Sequence, residues 1–107
     1  MTPDALSAAI GSGTVPAILD VRTPAEYAAG HVRGAINIAF NEVGRRVNEL
    51  DAFRERPLVV YCGHGPRAWL AGLVLWRHRF RHISYLRGHM AAWRRAGLPE
   101  EMGPSRG

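Results

Sequence analysis

Cys62 is followed by Gly63-His64-Gly65-Pro66-Arg67, a combination of residue types that suits sulfur chemistry. Two glycines let a backbone curl tightly and turn its amide N–H groups inward. A nest of amides with a helix N-terminus behind it is an anion site. A thiolate placed there is stabilised, and Arg67 adds positive charge nearby. Such a thiolate attacks sulfur electrophiles. After the attack the same amides can hold the terminal sulfur of a persulfide. A cysteine that merely filled the core would not need a glycine-rich, helix-opening loop beside it. Cys62 is also the chain's only cysteine, so an intramolecular disulfide is excluded, and a thiolate zinc site would need more sulfur ligands.

Other residues that could do chemistry carry weaker patterns. Asp20, Arg22 and Glu26 are charged and clustered and so look active, but a structural role is the better reading. His64 lies inside the loop, where a hydrogen bond to substrate and a solvent-facing ring are equally expected. His31 reads as a packed, hydrogen-bonded histidine. His78 and His82 stand four apart, which can be metal spacing on a helix. No acidic ligand lies beside them, however, and no metal is expected. Trp69, Trp76 and Trp93 read as core or rim packing. Gly63-His64-Gly65-Pro66-Arg67-Ala68 also matches the loose dinucleotide pattern G-x-G-x-x-A. The next strand ends without the acidic residue that a ribose hydroxyl requires, which rejects that reading.

The loop needs a strand before it and a helix after it, and the chain supplies both. Pro57 opens Leu58-Val59-Val60-Tyr61, apolar and β-branched, as a strand buried on both faces should be. A helix is predicted from about Pro66 to about His78. Its Ala68–Trp76 stretch is nearly all apolar, which predicts a well-buried helix. Upstream, Pro3–Ile10 reads as a helix capped by Thr2, Ala17–Val21 as a buried strand, and Thr23-Pro24-Ala25-Glu26 as a capping box. The helix it starts ends near Gly30. Ala35–Ile38 reads as a strand. Asn41 caps a predicted helix from about Glu42 to Phe53, with Val43, Val47 and Leu50 along one face. Ile83–Leu86 is a last strand, and His89–Ala96 a last helix closed by Gly97 and Pro99. Residues 100–107 read as a loose tail. Strands alternating with helices imply a parallel α/β sheet covered on both faces. Ligands of such sheets bind beyond the carboxyl ends of the strands, where Cys62 stands.

The chain resembles the rhodanese homology family. The family's active loop, Cys-x-x-Gly-x-Arg at a strand-to-helix junction, is matched by Cys62 to Arg67. Leu19-Asp20-Val21-Arg22, Glu26-Tyr27 and Gly30-His31-Val32-Arg33-Gly34-Ala35-Ile36-Asn37-Ile38 look like its first signature. Leu86-Arg87-Gly88-His89, Ala92-Trp93 and Ala96-Gly97-Leu98-Pro99 resemble its closing one. The likeness spans about residues 4 to 99 of one domain, 1–107. It implies a rhodanese-like fold with a parallel, about five-stranded sheet flanked by helices on both faces. It further implies ping-pong sulfur transfer through a Cys62 persulfide. The donor would be a small anion such as thiosulfate, and the acceptor cyanide, a thiol or a protein cysteine. Carried over by position, Cys62 is the nucleophile. Gly63, His64, Gly65, Pro66, Arg67 and Ala68 form the substrate cradle, with Arg67 as anion contact. No cofactor is implied. Cysteine phosphatases of the related fold use Cys-x5-Arg. The loop here is one residue shorter and suits sulfur rather than a tetrahedral phosphate, so phosphatase or arsenate reductase chemistry is a distant alternative. A nearer one is a persulfide carrier or sensor that serves a protein partner and turns over poorly. An idle scaffold domain would have no reason to keep the thiolate nest.

The chain departs from the family in three places. Pro66 has no N–H, so the cradle loses a donor. Gly88-His89 stands where the family has Gly-Gly. The N-terminal part is short, so the family's first small strand is expected to be reduced or absent.

Composition sets the frame. At 107 residues the chain has one domain's length and buries roughly 65% of its unfolded surface. Its 47% hydrophobic content is that of a globular protein. No apolar run approaches the ~18 residues of a membrane span. The first residues lack the basic-then-apolar pattern of a signal peptide, so a cytoplasmic location is expected. The net charge is +5, and all 14 basic residues are arginine. That balance attracts anions. Without interleaved aromatic residues or a recognisable motif, it does not predict nucleic-acid binding.

Overall fold

The computed structural model describes residues 1–14 and 16–104. Four parallel strands form the main sheet: β1 (Ala17–Asp20), β3 (Ile36–Asn37), β4 (Leu58–Tyr61) and β5 (Ile83–Tyr85), in the order β3-β1-β4-β5. The sheet therefore has four strands rather than about five, because the segment before Ala17 is spent on a helix, α1 (Pro3–Ser12). Thr2 caps α1 as predicted, accepting the Ala5 N–H.

β4 lies between β1 and β5, and all four of its residues are buried. Alternation along the strand divides the core in two. Leu58 and Val60 face a layer with Leu19, Val43, Val47, Leu50, Ala71 and Leu75. Val59 and Tyr61 face Leu6, Ile18, Tyr27, Leu86, Met90 and Trp93. The first layer is covered by α3 (Pro66–Arg77), the second by α1, α2 (Pro24–Ala29) and α4 (His89–Arg95).

Three segments depart from expectation. The stretch predicted as one helix after Asn41 is instead two 3-10 segments, Phe40–Glu42 and Val47–Phe53, and Asn41 caps neither. Gly44 lies in the break between them. Val43, Val47 and Leu50 are buried all the same, since apolar residues three apart suit a 3-10 face as well as an α-helical one. Second, α3 buries only Ala68, Ala71, Gly72 and Leu75. Trp69, Leu70, Leu73 and Trp76 are between 48% and 69% exposed, because the side that carries Ala68, Ala71 and Gly72 packs close on the sheet with Leu75 and leaves these four outside. Third, the start of the expected tail is ordered. Glu100–Glu101 (β6) pairs antiparallel with His31–Val32 (β2), and the Glu101 carboxylate accepts the Gly34 N–H. The rest of that tail, 105–107, lies outside the described residues. No helix among the described residues is long and apolar enough to cross a membrane.

Candidate active site

The loop begins where β4 ends. Cys62 is 1% exposed. Its Sγ accepts the Gly65 N–H at 2.9 Å, so the glycine curl does turn an amide onto the sulfur. Gly65 has φ +139°, a conformation open to glycine and strained for other residues. It is also hemmed in: a Cβ there would meet Trp69 Cζ2 at 3.2 Å and His89 Nε2 at 3.4 Å. Pro66 starts α3 at the position where its missing N–H would have no helical partner anyway. Ala68 is fully buried, whereas His64 is exposed and makes no hydrogen bond among the described residues.

Arg67 curls back beside Gly63 and grips Glu26 with both arms, Nη1 to Oε1 at 2.7 Å and Nη2 to Oε2 at 3.1 Å. Glu26 also completes the predicted capping box with Thr23. One carboxylate therefore caps the start of the α2 helix and braces the cysteine loop 41 residues away. The Arg67 guanidinium, with smaller help from Thr23, holds the Glu26 carboxyl well below its ordinary value of 4.5, at about 2. A carboxyl depressed by folding adds stability above its unfolded value and loses it as pH falls through the folded one. Glu26→Gln should therefore be less stable than wild type from about pH 5 upward, with the gap closing between pH 4.5 and 2. Both side chains are partly exposed, so the gap should stay near or below about 1 kcal/mol. Urea titrations across that range measure it.

Beneath the loop lies a buried ionic knot. Asp20 and Arg22 are 0% and 2% exposed. Asp20 accepts from the Arg22 N–H, Nε and Nη2, and from the Tyr61 hydroxyl at 2.7 Å. Arg22 Nη2 also reaches the Gly30 carbonyl at 2.7 Å. Burial first, and then the Asp20 charge, pushes the Tyr61 hydroxyl well above its ordinary value, so it stays a donor. Tyr61 immediately precedes Cys62. Asp20, Arg22 and Glu26 make structural ties, the role expected of them, but Glu26 reaches further than its own helix.

His89 is the residue that sequence reasoning left out of the site. It is 5% exposed, and its Nδ1 accepts the Cys62 N–H at 3.2 Å. Its ring meets Trp69 edge-on, with centroids 6.5 Å apart. Burial, followed by the nearby His64, lowers its proton affinity. The available signal was the Gly88-His89 departure from Gly-Gly, which marked the junction without saying where the ring points.

The remaining candidates fall elsewhere. His31 is buried with Nδ1 at 2.7 Å from the Tyr27 carbonyl and its ring stacked on Tyr27. The α3 helix ends at Arg77, so His78 and His82 share no helical face. Trp93 is buried and donates to the Pro99 carbonyl. A cleft of about 660 Å³ lined by Tyr27, Arg33, Glu49 and Met102 touches no loop residue. It holds no cysteine.

A family model described as the Rhodanese-like domain matches residues 2–96. A protein named "Sulfurtransferase" from Allochromatium vinosum is 34% identical over 82 residues, covering 77% of this chain and 75% of that one. A "Thiosulfate sulfurtransferase GlpE" from Actinobacillus pleuropneumoniae is 30% identical over 84 residues, covering 78% and 76%. The crystal structure of a rhodanese-related protein from Thermoplasma volcanium superposes with a TM-score of 0.81 at 26% identity, covering 95% of this chain and 96% of that one.

Proposed function

Because the chain belongs to the Rhodanese-like domain family, we propose that it is a sulfurtransferase that carries sulfane sulfur on Cys62 between an anionic donor such as thiosulfate and a thiophilic acceptor. The observation that carries this reading is the Gly65 N–H donated to Cys62 Sγ at 2.9 Å inside a loop that opens a helix. In the first half-reaction the Cys62 thiolate attacks the outer sulfur of thiosulfate. A sulfur–sulfur bond forms to Cys62 as the donor's own breaks, and sulfite leaves with the electron pair. In the second, cyanide, a thiol or a protein cysteine attacks the terminal sulfur, and the Cys62 thiolate departs. With cyanide no proton is gained or lost in either step. The loop from Gly63 to Ala68 cradles the sulfur. Glu26 occupies only part of the Arg67 fork, so its remaining N–H groups can meet the donor's oxyanion.

Initial-rate kinetics with thiosulfate and cyanide test the reading. Parallel double-reciprocal lines are expected, with sulfite released before cyanide is added. Sulfite release that needs both substrates present would rule out the two-step route.

A second reading has the persulfide handed to one protein partner with little turnover on small molecules. The exposed line Trp69, Leu73 and Trp76 favours it. These residues are spaced along one face of the helix that starts at the loop. Stoichiometric loading by thiosulfate combined with slow cyanide turnover would choose this second reading over the first.

A further inference from the structure

Of the two departures from the family pattern, His89 lies against Gly65, the residue that precedes Pro66. His89 opens α4 with φ +56°, a backbone that glycine adopts freely and a residue with a Cβ adopts at a cost. A bulky residue held there at a functional site points to work done by its side chain. Because Nδ1 accepts the Cys62 N–H, the neutral ring carries its proton on Nε2. Burial and the neighbouring His64 both favour that neutral ring. Nε2 faces Gly65, where an added Cβ would sit 3.4 Å away. It makes no hydrogen bond among the described residues. No fully enclosed side-chain nitrogen or oxygen among them lacks a partner, so Nε2 opens onto accessible space at the loop. The ring is thus 95% buried yet keeps one N–H unspent, beside Gly65 and so one residue from the loop position whose backbone has no N–H to give.

We propose that the His89 Nε2–H is a hydrogen-bond donor of the sulfur site, standing in for the amide that Pro66 removes and holding the terminal sulfur of the Cys62 persulfide. This rests on the persulfide reading above. The donor is neutral, so it adds affinity for an anionic sulfur without adding charge. Losing one donor to a charged group in an enclosed site should cost roughly 10- to 100-fold.

His89→Gly, Pro66→Ala and the double variant decide the matter. Glycine suits φ +56°, so His89→Gly keeps the fold, which far-UV circular dichroism checks. Its kcat/KM for thiosulfate should fall roughly 10- to 100-fold, and its isolated persulfide should decay faster by a similar factor. Pro66→Ala restores an amide to the loop. The double variant should therefore be several-fold more active than His89→Gly alone, a rescue that a merely structural histidine would not show. Wild-type activity in His89→Gly, or a double variant no better than the single, overturns the proposal. If wild-type protein gains no sulfur from thiosulfate, the persulfide reading falls and this inference falls with it. If wild type gains sulfur and His89→Gly transfers it equally well, only the inference falls.

Discussion

Cys62→Ser is expected to abolish sulfur transfer, lowering kcat/KM by at least about a thousandfold, while leaving the fold in place. The serine hydroxyl sits where Sγ accepts the Gly65 N–H and can accept the same bond. A hydroxyl is a far weaker nucleophile near neutral pH and forms no persulfide. Cys62 is 1% exposed and packs with Leu19, Val60 and Ala68. Replacing it with a more polar atom should cost about 1 kcal/mol of stability. The prediction is therefore a split between two measurements: a melting temperature that moves by a few degrees and an activity that disappears. If activity survived in Cys62→Ser, the nucleophile would have to be sought elsewhere.

The largest expected effect on stability comes from Asp20→Ala. That change removes the carboxylate paired with Arg22 in the buried knot and leaves a guanidinium 2% exposed without its counter-charge. The Arg22 amide and the Tyr61 hydroxyl lose their acceptor as well. Breaking one side of a buried pair costs about 3–5 kcal/mol, a large part of the roughly 5–15 kcal/mol that a domain has. For a chain of this size the loss corresponds to a fall of roughly 15–30 °C in Tm. Asp20→Asn, which keeps an acceptor and the side chain's shape, should lose less. A thermal melt of Asp20→Ala within a few degrees of wild type would show that Arg22 finds another partner. The knot lies under the loop through Tyr61, so a protein that survives the change should also lose sulfur transfer.

The site was legible in the sequence where its signals are local. Cys62 and its glycines, the strand Leu58–Tyr61 and the capping box of Thr23 and Glu26 all lie within a few residues of their partners, and short-range chemistry shapes them. What was not legible depends on distance in the chain. Glu26 meets Arg67 across 41 residues, and a completed capping box gives no hint that the carboxylate has a second task. His89 was visible as a departure from Gly-Gly, but only its positive φ aims the ring at Cys62. The α3 helix misled because its apolar residues run all the way round. Ala68, Ala71 and Gly72 win the sheet-facing side by being small enough to pack close, while Trp69 and Trp76 are left outside. The β6 pairing at Glu100–Glu101 could not be read from two acidic residues with no strand propensity.

The central claim is a sulfur atom held covalently on Cys62, and intact-protein mass spectrometry after brief exposure to thiosulfate tests it most directly. Wild type should gain the mass of one sulfur atom, lose it on addition of cyanide, and show neither change as Cys62→Ser. An unchanged wild-type mass, or a gain that persists in Cys62→Ser, would contradict the account.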